Sequence, residues 1–487
     1  MSSKSSRQKF RRPVPLLALG TALTAAIWAF ASLRRHWAFE SHAFDLGLFT
    51  NAIWNLTHGN GYLSSVKGGM NLFADHQSPI FWLFAPFFAL VPRAETLLVL
   101  QALALAAGAP ALHALYRQHS RGREGLPSWL GLALAALYWL YLPLRKANAF
   151  DFHPETVMLP LFLWGAAGLQ SSRTGLRRLG ALAFVLAILC KESAGPVAAG
   201  YGLAWILGAA PAGSKSDADR MRRVGAWALA AGVAAFVVCL KIPGWMGQSY
   251  AYTMAYSQYF VPAADLPGVL LRQLFGPARI KFLAATLGPL AFLPLFAPRV
   301  AVAALPGYLM MFLTSGDQRV NLSFHYSIEP GAGLFFALVP GAIFAYGRLR
   351  AWRPATASRW FAGVLGVFVL LTIQRSELYR AIVIYNPSAH ARTLHERVLP
   401  MLDPSLPFAA SEALVPHLAS RNWIEPLDSP WEGRVECVLF DRAAGNWPLG
   451  AQGLDEVPRR AARAGFPTLA EVDGVVIYGR TPRCIGR

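Results

Sequence analysis

The chain has 487 residues, a formal net charge of +19, 55% hydrophobic residues and only 15% charged ones. Soluble globular domains carry about a quarter charged residues, which excludes a single water-soluble fold for the whole chain. A positive balance this large would suggest nucleic acid if it formed one face. Here Lys and Arg sit in short connections between apolar blocks, the pattern of loops that resist translocation, so no nucleic-acid partner is expected.

In chain order, the basic N-terminal stretch MSSKSSRQKFRRP leads into an apolar run at 14–33. That run is longer than a signal-peptide core and is followed by Arg34-Arg35-His36-Trp37, so it reads as a retained first span. Basic clusters at 4–12, 117–123, 173–178, 220–223 and 348–359 are assigned to the cytoplasm. Spans consistent with them run at 14–33, 96–116, 127–144, 155–170, 178–190, 194–210, 224–241, 280–297, 300–314, 328–347 and 358–374. Each approaches the length that crosses a hydrocarbon core about 30 Å thick. The expected fold is an α-helical polytopic membrane protein with about eleven spanning helices, lying in the inner (plasma) membrane. The odd count puts the N-terminus in the cytoplasm and the C-terminus outside it. A membrane domain at 1–375, with its first extracytoplasmic loop at 34–95, precedes a small extracytoplasmic α/β domain at 376–487.

The apolar segment 78–91, SPIFWLFAPFFALV, is too short to span and holds two prolines, so it is expected to lie along the outer membrane face. Before it, Phe44, Leu48, Ile53 and Leu56 recur at helical spacing and predict an amphipathic helix with Asp45 in its first turn. In the terminal domain, strands are expected at 435–440 and 474–478, and an amphipathic stretch at 412–420. Cys190 and Cys239 read as packing residues, while the pairing of Cys437 with Cys484 is left open by spacing alone.

Ionisable residues at membrane boundaries are costly and are kept for sites. The topology gathers them on the outer side: Asp45, Asp75 and His76 in the first loop; Arg145, Lys146, Asp151, His153 and Glu155 before the fourth span; Lys191 and Glu192 in an apolar hairpin; Arg319, His325 and Glu329 before the tenth. Asp45, His76 and His153 have the chemistry of acid–base catalysts. Lys191, Glu192, Arg145, Lys146, Arg319 and His325 are candidate substrate-binding groups, a Lys in such a turn being placed to hold phosphate or carboxylate. In an extended lead-in, 151, 153 and 155 share one side. Asp75, Asp151 and Glu155 are therefore candidate ligands for a divalent metal ion. Capping, interfacial ion pairing and ordinary solvated charge are the plainer explanations for each taken singly.

The runs FDLGLFTNAIWN, DHQSPIFWLFAPFFAL, FDFHPETVMLPL, CKESAG, FHYSIEPG and AASEALVPHLASRN occur here in one order. By them the chain, over roughly 40–440, resembles a family of bacterial and archaeal predicted membrane proteins catalogued as a domain of unknown function. That family in turn looks like the GT-C superfamily of glycosyltransferases, membrane enzymes that take sugar from a polyprenyl-phosphate donor. The resemblance implies transfer of a sugar to an extracytoplasmic glycan, lipid or protein acceptor, with Asp45 as the first-loop acid and Lys191 near the donor phosphate. A transporter or lipid flippase, and a non-catalytic membrane assembly protein, are the alternatives. The first predicts broken-helix repeats, which the sequence does not show.

Overall fold

The computed structural model describes residues 13–486 apart from 212, 249–255, 257–258, 260–265, 374–376 and 446. The basic segment 4–12 and the domain boundary near 375 thus lie outside the described residues.

The first helix, α1 (Pro13–Trp37), leads through a π-turn at Ala43–Gly47 into α2 (Leu48–Thr57). A two-stranded ribbon, β1 (Leu63–Ser64) with β2 (Met70–Asn71), then precedes α3 (Phe81–Leu90). Ten helical residues rise only about 15 Å, so the 78–91 segment is too short to cross as a helix. The bundle continues with α4 (Ala94–Ala106), α5 (Gly108–His119), α6 (Ser128–Leu140), α7 (Leu142–Ala149) and α8 (Pro154–Leu169). Next come α9 (Thr174–Ile188), α10 (Ala194–Ile206) and α11 (Lys215–Trp245).

Among the described residues, four helical segments are long and apolar enough to cross a membrane: Val14–Trp37, Ala94–His119, Lys215–Trp245 and Ile328–Trp352. They match four of the eleven spans expected. The other seven form shorter helices. The 127–144 stretch breaks at Tyr141, where the backbone is extended and Pro143 starts α7 at its second position. The 280–314 region divides into Pro277–Leu287, several 3-10 turns and Leu305–Phe312, each opened by a proline. Helix Ile328–Trp352 is the axis of the bundle, with 83% of its apolar window buried against 17% for α11. Large apolar side chains such as Leu19, Trp227 and Leu370 face outward, as a lipid-covered surface requires.

Helices α10 and α11 meet backbone to backbone. A Cβ on Gly195 would lie 2.6 Å from the Gly232 carbonyl oxygen, and one on Gly202 2.6 Å from that of Gly225. Both glycine pairs are seven residues apart, so they fall on one stripe of each antiparallel helix and let the axes close.

The C-terminal region folds as a five-stranded sheet in the order β4-β3-β5-β7-β6. Strands β3 (Phe408–Ala410), β4 (Ile424–Pro426) and β5 (Cys437–Asp441) run parallel, and β6 (Thr468–Val472) and β7 (Val475–Gly479) complete it antiparallel. The last two join through Asp473-Gly474, both at positive φ, the backbone a two-residue hairpin demands. The expected strands sit one or two residues further along than the sequence placed them. A disulfide joins Cys437 to Cys484. Ala409, Val438, Phe440 and Val476 face the helix Gly450–Arg463. Their alternates Phe408, Ala410, Leu439 and Ile477 share the core of the membrane bundle. The sheet is therefore buried on both faces, and the first loop is its second layer. Asn51 in α2 donates to the carbonyls of Ala419 (3.1 Å) and Arg421 (2.8 Å), and Ser65 Oγ donates to that of Ile424 (2.9 Å).

Gly202→Leu will drive a side chain into the α11 backbone, and overpacking of this kind costs about 1–3 kcal/mol. Thermal unfolding in detergent should show a lowered Tm, whereas Gly175→Ala, with nothing within 4 Å of the added carbon, should leave it unchanged or raise it. Equal Tm values for the two variants would show that the glycine seam is not a packing contact.

Candidate active site

The π-turn before α2 sets Asp45 at the end of the bundle that meets the sheet, with its side chain 27% exposed. Its Oδ1 is 3.1 Å from Nε2 of His153, which is 4% exposed. His153 caps α8, with Pro154 at the first helical position. The lead-in is clamped by buried Gln101 of α4. That amide accepts from His153 N at 2.9 Å and from Thr156 Oγ1 at 2.9 Å, and donates to the carbonyls of Asn148 and Asp151.

From His153 a buried polar chain runs inward. Its ring stacks on His325, centroids 3.5 Å apart. His325 Nε2 is 2.8 Å from Glu155 Oε1, which accepts from Lys191 Nζ at 2.6 Å. Glu192 then accepts from Gln77 N at 3.3 Å and lies 3.9 Å from His76 Nδ1. His76 reaches Asp75 at 3.6 Å, and Asp75 pairs with Lys67. Eight of the twelve residues given a site role in the sequence thus form one connected network, with partly exposed Asp45 at one end and partly exposed His76 near the other.

The electrostatics follow from burial. Burial opposes a charge on Asp45, but the hydrogen bond and charge of His153 outweigh it and hold the carboxyl at about 2. Burial likewise works against His153, yet the Asp45 hydrogen bond and the Glu155 charge raise its pKa. His325, buried against that cation, is pushed down to about 3. The two stacked imidazoles are thus shifted in opposite directions.

The metal expectation is not met by the geometry. Helix α8 begins at Pro154, so 151, 153 and 155 do not alternate along one extended strand. Asp151 turns to Arg35 at 2.6 Å and accepts from His42 N at 3.0 Å, His153 turns to Asp45, and Glu155 to Lys191. Asp75, Asp151 and Glu155 are each bound to a different cation, as buried carboxylates require. Among the described residues no three His, Cys, Asp or Glu side chains converge as a metal site. Lys191, expected at a phosphate, is buried against Glu155.

The remaining candidates lie nearby. Arg145 is buried in α7. Arg319 lies 5.5 Å from the ring centre of Tyr326, which neighbours His325 at 4.3 Å. Lys146 lines a cavity of about 240 Å³ with Arg35, Arg380, Glu40 and Phe150. The Phe150 ring stacks on His153, centroids 5.5 Å apart. Arg35, Arg380, Gln101, His42 and Glu412 had no site role in the sequence. Arg35 had been counted with the charges that end the first span. Glu412 stands inside AASEALVPHLASRN, where its place in an ordered motif was the available signal. Its Oε1 accepts from Ala43 N at 2.7 Å and lies 3.3 Å from His42 Nδ1, a hydrogen bond that raises the His42 pKa.

A family model described as "Predicted membrane protein (DUF2079)" matches residues 35–477. The chain belongs to the DUF2079 family. No curated relative matches its sequence. In three dimensions it is similar to ArnT from Cupriavidus metallidurans bound to undecaprenyl phosphate, with a TM-score of 0.52 at 12% identity, covering 98% of this chain and 100% of that one. The apo state of the same ArnT gives 0.51 at 11% identity, with 97% and 99% covered. The Archaeoglobus fulgidus oligosaccharyltransferase tethered to an acceptor peptide gives 0.46 at 11% identity, with 96% and 74% covered. The DUF2079 chain therefore has a fold like that of ArnT.

The folded pKa of His153 lies above its ordinary value of 6.5. Its charged pair with Asp45 thus adds stability that is complete below about 6.5 and is lost as pH rises through the folded value. Tm measured from neutral to alkaline pH should fall for the wild type, and His153→Gln should flatten that fall. A parallel decline in both proteins would mean the pair makes no such contribution.

Proposed function

We propose that this protein is a membrane glycosyltransferase that moves a sugar from a polyprenyl-phosphate donor to an acceptor outside the cytoplasm. The observation that carries the reading is Asp45, a partly exposed carboxylate held by His153, whose ring stacks on Phe150 at the wall of a cavity lined by three cations. The similar fold of ArnT, in a structure bound to undecaprenyl phosphate, supports the donor class. In this reading the eleven expected spans cross the inner membrane, in pairs of short helices where needed, and Asp45 and the sheet face the outer side.

The reaction breaks the bond between the sugar's anomeric carbon and the phosphate oxygen, and joins that carbon to an acceptor oxygen or nitrogen. The proton lost by the acceptor passes to the Asp45 carboxylate, and polyprenyl phosphate leaves with the bonding electrons. Asp45 is the base in this reading because it is a partly exposed carboxylate at one end of the ionic chain. His153 is a positioning residue: its imidazolium fixes the carboxylate and is itself fixed by Gln101 and His325. Lys191 and Glu155 hold His325 in place. Arg35, Lys146 and Arg380 are suited to the leaving phosphate, with Arg319 and Arg145 behind them.

Transfer assays with radiolabelled polyprenyl-phosphate sugars in proteoliposomes should show Asp45→Asn reduced by about 10²–10⁴-fold, the range for a general base. His153→Ala should also shift the acid limb of the rate profile upward, since Asp45 then keeps its burial but loses the partner that depresses its pKa. An Asp45→Asn enzyme as active as the wild type would remove the assignment. Lys146→Ala and Arg380→Ala should each weaken undecaprenyl phosphate binding about tenfold, the loss of one charge-assisted hydrogen bond. Unchanged affinity in both would place the phosphate elsewhere.

A further inference from the structure

A second cavity, of about 400 Å³, opens between the first loop and the sheet, lined by Glu40, His42, His390, Glu412, Asp441 and Trp447 among others. Its floor has a specific place in the topology. The chain leaves β3 to pair β4 on one side and returns to pair β5 on the other. The carboxyl ends of β3 and β5 are therefore a topological switch point, where open α/β sheets form a ligand crevice. Glu412 lies two residues beyond β3, and Asp441 ends β5. The two ends are locked together, since Ser411 N donates to the Leu439 carbonyl at 3.0 Å and Asp441 N to Ser411 Oγ at 2.9 Å.

The lining has a definite chemistry. Among its described residues there are three carboxylates, two imidazoles, and no Lys or Arg. His390 is held between Asp441 (3.0 Å) and Asp473 (2.9 Å). Trp447 stands at the rim, 60% exposed, with the rings of His42 and Phe44 about it at 6.2 and 6.1 Å. An exposed indole gives a face for the apolar side of a sugar ring, and carboxylates with imidazoles hydrogen-bond hydroxyl or amino groups. A phosphate would meet like charge here. The cation-lined cavity has the opposite character, and Glu40 lines both. Glu412 also binds the backbone of Ala43, two residues before Asp45.

We propose that this cavity is the acceptor site and that the acceptor is a carbohydrate free of phosphate at the end it presents. The inference rests on the glycosyltransferase reading for the word acceptor, but the carbohydrate site itself is tested independently of it. The donor phosphate and the acceptor sugar then enter from two sides of the 38–42 segment, with Glu40 at the edge of both cavities and Asp45 three residues beyond His42.

Calorimetric titration of the full-length protein in nanodiscs, with neutral trisaccharides of glucose, mannose and N-acetylglucosamine, tests it. At least one should bind. Trp447→Ala should weaken that binding about tenfold or more, Trp447→Phe should retain most of it, and the 6-phosphorylated form of the same sugar should bind at least about tenfold more weakly, a difference of about 1.4 kcal/mol. Undecaprenyl phosphate should bind Trp447→Ala as it binds the wild type. The proposal is overturned if no trisaccharide binds, if binding ignores Trp447→Ala, or if the phosphorylated sugar binds more tightly. Saccharide binding at Trp447 without any binding of undecaprenyl phosphate would instead sink the glycosyltransferase reading and leave the carbohydrate site standing.

Discussion

A charge taken out of water must face its opposite, and the outer half of this molecule is arranged around that requirement. Asp45, His153, Glu155 and Lys191 alternate between carboxylates and nitrogen bases, with His325 between His153 and Glu155. These residues come from the first loop, the start of α8, the α9–α10 turn and the approach to helix Ile328–Trp352. Losing one partner would strand the next charge, so each contact fixes the position of a separate chain segment. The same rule accounts for Asp151 with Arg35 and Asp75 with Lys67. It is also why the carboxylates stand apart instead of gathering around one ion.

On this scaffold the first loop is a shared wall. Its inner side carries Asp45 to His153, and its outer side is bonded through Asn51 and Ser65 to the sheet. The segment 38–42 divides a basic cavity from an acidic and aromatic one, with Glu40 at the edge of both. Two substrates of different charge can be kept apart in this way without a moving part.

Much of the site was legible because polar residues stand out against apolar sequence. Asp45, His153, Lys191 and His325 each sit where an apolar segment begins or turns, and solvation gives little reason for them there. Their partners were not legible. Pairings such as Asp45 with His153 join positions 108 residues apart, and spacing within a motif says nothing about such distances. Proline matters in a definite way: Pro154 starts α8, so the alternation of 151, 153 and 155 along an extended lead-in stops before it reaches Glu155. Arg35 was hidden by its neighbours, because a basic residue at the end of a span already has an explanation. The spans divide similarly. Four were long enough to be recovered from hydropathy. The rest are interrupted by prolines or end early, as α9 does after fifteen residues, and their number cannot be read from helix length. Two of the five C-terminal strands, β5 and β7, were recognised from their β-rich runs, but nothing local revealed the other three or the covering of the sheet on both faces.

That double covering bears on the order in which the molecule is made. Ser65 finds its partner at Ile424, 359 residues later, and Phe408 and Leu439 complete a core begun by the first loop. Loop closure over such separations grows slowly in cost but delays the contacts it joins. The Asn51 amide and the Ser65 hydroxyl of the first loop lack these partners until residues 419–424 have been made and have packed against the loop. Completion of the first loop is thereby tied to a distant segment: a chain cut before residue 419 lacks the carbonyls that Asn51 and Ser65 bind.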